Sequence, residues 1–195
     1  LGDVYKRQMM ARMKYIERWA LMRNSVSENI CEHSLEVAML AHGLGIIGRK
    51  RFGKDLSPER LAMLGMYHDC TEIITGDMPT PVKYANDELK EAYKAIEDSA
   101  AHRLLEMLPE DLRAEYESYF LPEQITPEEY RYVKAADKLS ALIKCIEEEK
   151  TGNQEFRSAK QATYESLQQM NMPEVTVFCE VFLPEYYKTL DELEH

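Results

Sequence analysis

Leu64-Gly65-Met66-Tyr67-His68-Asp69-Cys70-Thr71-Glu72 is the stretch on which the reading of this chain turns. Its first half has the character of a packed helix. It follows Ser57-Pro58, a helix start with Ser as cap and Pro at the first helical position. Its second half places an imidazole and two carboxylates where apolar residues are due. Charge taken out of water is costly unless it is paired or bound to a metal. As neighbours on a helix, His68 and Asp69 point about 100° apart, so both can lean toward one ion lying between them. Glu72 stands one turn further along the same face. The segment predicts a helix from Ser57 to about Thr75, stopped by Gly76, that carries ionic chemistry into a helical core.

Outward from this stretch the pattern stays helical. Strand-type alternation never persists, and the hairpin pair Asn-Gly is absent. Helices are predicted over Met9 to Met22 and from Val26 or Cys31 to Gly48. The second carries Leu35, Ala38, Ala41 and Leu44 at helical spacing, with Gly43 and Gly45 weakening its last turns. Asp77-Met78-Pro79-Thr80-Pro81 reads as a loop, because two prolines one residue apart do not fit a helix interior. Further helices are predicted over Asp87 to Leu108, ended by Pro109, and over Glu110 to Phe120. Another starts at Thr126-Pro127-Glu128-Glu129, where a Thr cap, a Pro and a capping-box Glu coincide, and runs to Gly152. The last two cover Asn153 to Met170 and Pro173 to Leu193, the latter interrupted at Pro184. Glu147-Glu148-Glu149-Lys150 reads as a solvated helix end. Tyr116, Tyr119 and Phe120, and Phe178, Phe182, Tyr186 and Tyr187, read as core or dimer surface. There is no repeat or linker, so residues 9–195 are expected to form one all-α domain, a single helical bundle.

The chain has 195 residues, enough for one sizeable core and short for two domains. The net charge of −11 argues against a nucleic-acid polymer as partner, since such binding relies on basic surface. A small phosphorylated ligand is compatible with it, because one Arg and a metal reverse the field inside a pocket. No apolar run approaches the ~18 residues of a membrane span, and no secretory signal is evident, so no membrane partner is expected. Cys31, Cys70, Cys145 and Cys179 are far apart and form no C-x-x-C pair. They read as reduced, mostly packed thiols and point to the cytoplasm. Leu1 to Gln8 lack an initiator Met and read as an added leader, with Met9 or Met10 the natural start.

Asp137 follows Ala135-Ala136 and precedes Leu139 and Leu142 in an apolar-faced helix. Asp is rarely buried there without a partner. With His33, His68 and Asp69 it makes two imidazoles and two carboxylates from separate helices, which is how bundle cores build metal sites. The set suits Mn²⁺, Co²⁺, Fe²⁺ or Mg²⁺ with open water positions better than a closed structural zinc site. An ion with open positions activates water, so the reading is metal-assisted hydrolysis of a phosphate ester. His42 and His102 read as core or surface residues, and His195 is terminal.

The order His, His-Asp, Asp resembles the HD-domain metal phosphohydrolases. The flanking words are similar to one branch, the bacterial 5′-deoxynucleotidases. They are Arg18-Trp19-Ala20-Leu21-Met22-Arg23-Asn24, Glu28-Asn29, Glu32-His33-Ser34-Leu35, Tyr67-His68-Asp69, Glu72, Thr75-Gly76-Asp77-Met78-Pro79-Thr80-Pro81-Val82-Lys83-Tyr84 and Lys134-Ala135-Ala136-Asp137. The resemblance implies a helical HD-domain bundle, a homodimer, and hydrolysis of deoxyribonucleoside 5′-monophosphates to deoxynucleoside and phosphate. It implies one divalent ion, Co²⁺, Mn²⁺ or similar, held by His33, His68, Asp69 and Asp137. It assigns substrate contacts to Arg18, Trp19, His33, Asp69, Asp77, Met78, Pro79, Thr80 and Asp137. Glu72 becomes the acid/base group and Arg18 the residue that orients phosphate. Trp19 becomes a wedge against a ribose 2′-hydroxyl. Ala20 stands where Pro is expected beside the Arg-Trp pair, which removes no functional group.

Two other readings compete. One keeps the site and changes the substrate to a dNTP, a cyclic nucleotide or an alarmone. The other is a non-catalytic helical module that senses nucleotides. Degenerate modules of that kind lack ligand residues, whereas all four are present here with Glu72.

Overall fold

The computed structural model describes residues 9–83 and 85–193, and every long element among them is an α-helix, as the sequence predicts. The leader reading of Leu1 to Gln8, the Tyr84 of the family resemblance and the terminal His195 lie outside the described residues. Two long helices form the axis, α1 (Ile30–Phe52) and α7 (Pro127–Lys150). Each begins in a capping box, Asn29 with Glu32 and Thr126 with Glu129, which satisfies backbone donors the first turn leaves unpaired. Val37, Ala41 and Leu44 from α1 meet Leu139, Leu142 and Ile146 from α7 in the main core. Leu61 of α2 (Pro58–Tyr67) joins them. The chain continues through short helices α3 (Glu72–Thr75) and α4 (Thr80–Lys83), then α5 (Asp87–Glu106) and α6 (Glu110–Phe120). After α7, helices α8 (Arg157–Gln169) and α9 (Pro173–Val181) add Leu167, Val175 and Phe178 to the core, and α10 (Leu190–Leu193) follows.

The structure corrects several boundaries. Met9 to Met22 is not one helix: a 3₁₀ turn at Ala11–Tyr15 is followed by a short extended stretch and then a turn closed by Met22 N–H donating to Trp19 O. Glu17 bridges Asn29, Arg18 N–H donates to Glu28 O at 2.8 Å, and Ile30 N–H donates to Ile16 O at 3.0 Å. The extended pairing satisfies the backbone groups a helix would have used. The predicted helix from Ser57 ends at Tyr67, so His68 and Asp69 sit in a tight turn rather than on a helix face. Cys70 N–H donates to Tyr67 O at 3.0 Å there, and Glu72 starts a new turn. The Asp77–Pro81 loop closes into α4, where Pro81 in the first turn costs no hydrogen bond.

Glycines do not weaken α1, which runs on to Phe52 and stops at Gly53, in the left-handed conformation at φ +63°. A Cβ on Gly45 would lie 3.0 Å from Pro58 Cα, and one on Gly65 3.0 Å from Ala38 Cα. The missing side chains let α2 press against α1, and that packing outweighs their poor helix propensity. Helix α1 also has the length and hydropathy of a membrane span, contrary to the expectation from apolar runs. Small residues raise its average without making a continuous apolar run, and 56% of the window is buried inside the protein. Pro184 does not break a long last helix; it lies in a 3₁₀ turn at Leu183–Tyr187 between α9 and α10. The four cysteines are free thiols, Cys70 and Cys145 buried, Cys179 partly buried and Cys31 exposed.

Glu147 to Lys150 is not a solvated end. Glu148 is 1% exposed, Glu149 pairs with Lys160 at 2.5 Å, and Lys150 donates to the carbonyls of Tyr186 and Lys188. The aromatic groups divide: Tyr116, Tyr119 and Phe120 pack around Tyr67, and Phe178 is buried, but Phe182 and Tyr187 are largely exposed.

Candidate metal and substrate site

The first turn of α1, the turn after α2 and the middle of α7 converge on one small volume. His33 is fully buried on α1, held at the helix start by the Asn29 cap. Its Nε2 lies 3.2 Å from Asp137 Oδ1 and 3.5 Å from Asp69 Oδ2. His68 Nε2 lies 3.1 Å from Asp69 Oδ2 and 3.9 Å from Asp137 Oδ1. Ligand atoms of His33, His68 and Asp69 all fall within 4.8 Å of one another. The four residues singled out in the sequence are therefore brought together.

Their hydrogen bonding fits a cation. The Nε2 atoms of both histidines are buried without a hydrogen-bond partner. His68 Nδ1 lies 2.7 Å from Gly65 O, an acceptor, so its proton sits on Nδ1 and the lone pair on Nε2 faces the carboxylates. Burial alone would raise the Asp69 and Asp137 carboxyls. His68 and His33 instead hold Asp69 well below the usual carboxylate range, and Lys134 with His33 does the same for Asp137. Burial lowers His33, but Asp137, Asp69 and Glu28 more than offset it and hold its pKa up at about 10. The carboxylates draw positive charge into this volume, and a divalent ion supplies it with the ring neutral.

Glu72, at the start of α3, is buried and its Oε2 lacks a partner. Burial, with Asp69 and Asp77 nearby, pushes its carboxyl up to about 9. Arg18 reaches in from the extended segment. Its Nη1 lies 3.2 Å from Glu28 Oε1 and 2.6 Å from His33 Nδ1, and its Nε is buried without a partner. Trp19 adopts φ +61°, a left-handed conformation uncommon for a bulky side chain and typical of functional sites. Its indole donates to Glu28 Oε2 at 2.8 Å and packs on Phe156 with ring centroids 5.3 Å apart.

Asp77 is the partner of the Trp19 backbone N–H, and burial raises its carboxyl against the pull of Arg18. Met78 and Pro79 follow, half-buried, and Thr80 is exposed at the start of α4. A cavity of about 400 Å³ adjoins His68 and Asp69, lined by Tyr67, Thr71, Lys83, Phe120 and Lys134 among others.

Sequence reasoning missed several contributors. Glu28 holds both Arg18 and Trp19, yet in the sequence it marks only part of a family motif. Lys134 bonds Asp137 Oδ2 at 3.4 Å, a spacing of three residues that a helix places on one face. Ser140 and Glu36 lie behind His33 and carry no sequence signal of their own.

Comparison with known proteins places the chain in a family. Residues 7–186 match a family model described as 5′-deoxynucleotidase YfbR-like. The chain is 47% identical over 184 residues to a 5′-deoxynucleotidase of Vibrio cholerae, covering 94% of this chain and 95% of that one. It is 45% identical over 184 residues to the 5′-deoxynucleotidase YfbR of Shigella boydii, covering 94% and 92%. A crystal structure of an HD-domain phosphohydrolase from Listeria innocua superposes with a TM-score of 0.79 at 23% identity. That match covers 100% of this chain and 93% of the other, and gives the fold.

Proposed function

Because the chain belongs to the 5′-deoxynucleotidase YfbR-like family, we infer that it is a metal-dependent enzyme releasing phosphate from deoxyribonucleoside 5′-monophosphates. The observation that carries the chemistry is the pair of bare Nε2 atoms on His33 and His68, facing the Asp69 and Asp137 carboxylates. We assign these four residues to one divalent ion, Co²⁺, Mn²⁺ or similar. Such an ion, when bound, lowers the pKa of water and polarises a phosphoryl group.

The chain's own residues divide the remaining work. Arg18 turns its guanidinium onto phosphate oxygens and offsets charge that grows in the transition state. Glu72, buried and protonated, gives its proton to the leaving 5′ oxygen. Trp19, held rigid by Glu28 and Phe156, takes the space beside C2′ and rejects a ribose hydroxyl by clash. Asp77 accepts a hydrogen bond from the sugar 3′-hydroxyl, and Met78, Pro79 and Thr80 wall the sugar. A homodimer in the cytoplasm is part of this reading. Leu35, Met39 and Ile46, exposed along one stripe of α1, support the dimer, and four free thiols suit a reducing compartment. Product analysis tests the reaction: dAMP should give deoxyadenosine and phosphate in equal amounts. Loss of pyrophosphate or triphosphate from dATP, with dAMP untouched, would replace this substrate class.

A further inference from the structure

Ser140 is fully buried on α7, one turn beyond Asp137, and Glu36 lies one turn beyond His33 on α1. Ser140 Oγ stands 2.5 Å from Glu36 Oε2 and 3.0 Å from His33 Nδ1. A hydroxyl has one proton to give, and the geometry directs that of Ser140 at Glu36 Oε2. Ser140 therefore donates to Glu36, and its lone pair is left to accept a proton from His33 Nδ1. The ring nitrogen opposite, Nε2, is then bare and faces Asp137 Oδ1 at 3.2 Å.

Arg18 pulls the other way. Its Nη1 is 2.6 Å from the same Nδ1 and needs a lone pair there. In that tautomer Nε2 carries the proton and cannot hold a metal. We propose that Glu36 and Ser140 are positioning residues that fix the proton of His33 on Nδ1, keeping Nε2 for the metal and turning Arg18 away toward the substrate phosphate. In the metal-holding tautomer Arg18 faces an N–H at His33 while keeping the Glu28 bond and its place over the Trp19 ring, so an Nη1 donor is available to an anion. This rests on the metal-dependent reading above.

The test measures Co²⁺ affinity of the chelator-stripped full chain by calorimetry, with thermal melts alongside. Ser140→Ala removes the nearer acceptor at Nδ1 and leaves Glu28 Oε1 at 3.5 Å. Glu36→Leu frees the Ser140 proton to donate to Nδ1, which favours the wrong tautomer. Both should bind Co²⁺ about ten- to a hundredfold more weakly than wild type. Glu36→Gln, whose amide oxygen still accepts from Ser140, should lose less. Should Ser140→Ala fail to fold, the two Glu36 variants decide. Wild-type affinity in Glu36→Leu, or a lower melting temperature with affinity unchanged, overturns the relay. A wild-type chain that binds no divalent ion overturns the functional reading itself.

Discussion

Glu148 Oε2 accepts the backbone N–H of Ser25 at 2.8 Å, fastening the segment that presents Arg18 and Trp19 to the far end of α7. Its other oxygen takes the Val26 N–H at 3.3 Å and Lys144 Nζ at 2.5 Å, and Asn153 Nδ2 donates to Oε2 at 2.8 Å. Burial raises this carboxyl, but Lys144, Asn153 and Ser25 hold it down at about 2 against an ordinary 4.5. Its contribution to stability is thus complete above pH 4.5 and is lost as pH falls toward 2. Glu148→Gln should cost about 3 kcal/mol at neutral pH, since Lys144 is left without its charge partner. Urea melts from pH 2 to 7 check this. The variant should show a shallower acid slope than wild type, and parallel slopes would remove Glu148 from the account.

Trp19→Ala should erode sugar selectivity. The ratio of kcat/KM for dAMP over AMP should fall by roughly ten- to a hundredfold, mainly through a gain on AMP. An unchanged ratio would sink the wedge.

Asp137→Ala should lower metal-dependent turnover by more than about a hundredfold, because it removes a ligand rather than a residue behind one. Steady-state rates at saturating metal, with circular dichroism to confirm folding, are the check. A wild-type rate would take Asp137 out of the site.

Gly65→Ala should destabilise by about 1–3 kcal/mol, because a Cβ there meets Ala38 Cα and Val37 O, each at 3.0 Å. Since Gly65 O anchors His68 Nδ1, Co²⁺ affinity should fall with it. An unfolding midpoint equal to wild type would show that α1 and α2 are not in the close contact described.

Much of this was legible in the sequence because the signals are local. Ser57-Pro58 and Thr126-Pro127-Glu128-Glu129 cap helices through atoms within three residues, and both helices start as predicted. His68, Asp69 and Asp137 stood out because ionic residues in apolar surroundings demand a partner, and His33 joined them through the order of the motif and the family resemblance. What was not legible depends on distant contacts. The segment 16–29 has helix-like composition at its start, yet Glu28 and Glu148 hold it in a non-helical path through bonds to Arg18, Trp19 and Ser25. Glu148 itself looked like one of three solvated acids, and only burial separates it from Glu147. The glycines of α1 looked like weak points because the facing helix was not visible. The turn that ends α2 at Tyr67 depends on His68 folding back onto Gly65.

The most direct test is phosphate release from dAMP and AMP side by side, using chelator-treated protein with Co²⁺, Mn²⁺ or Mg²⁺ restored. The account predicts no release without metal, rapid release from dAMP once a divalent ion is added, and little from AMP. Equal release with and without metal, or no release from dAMP with any of the three ions, would contradict it.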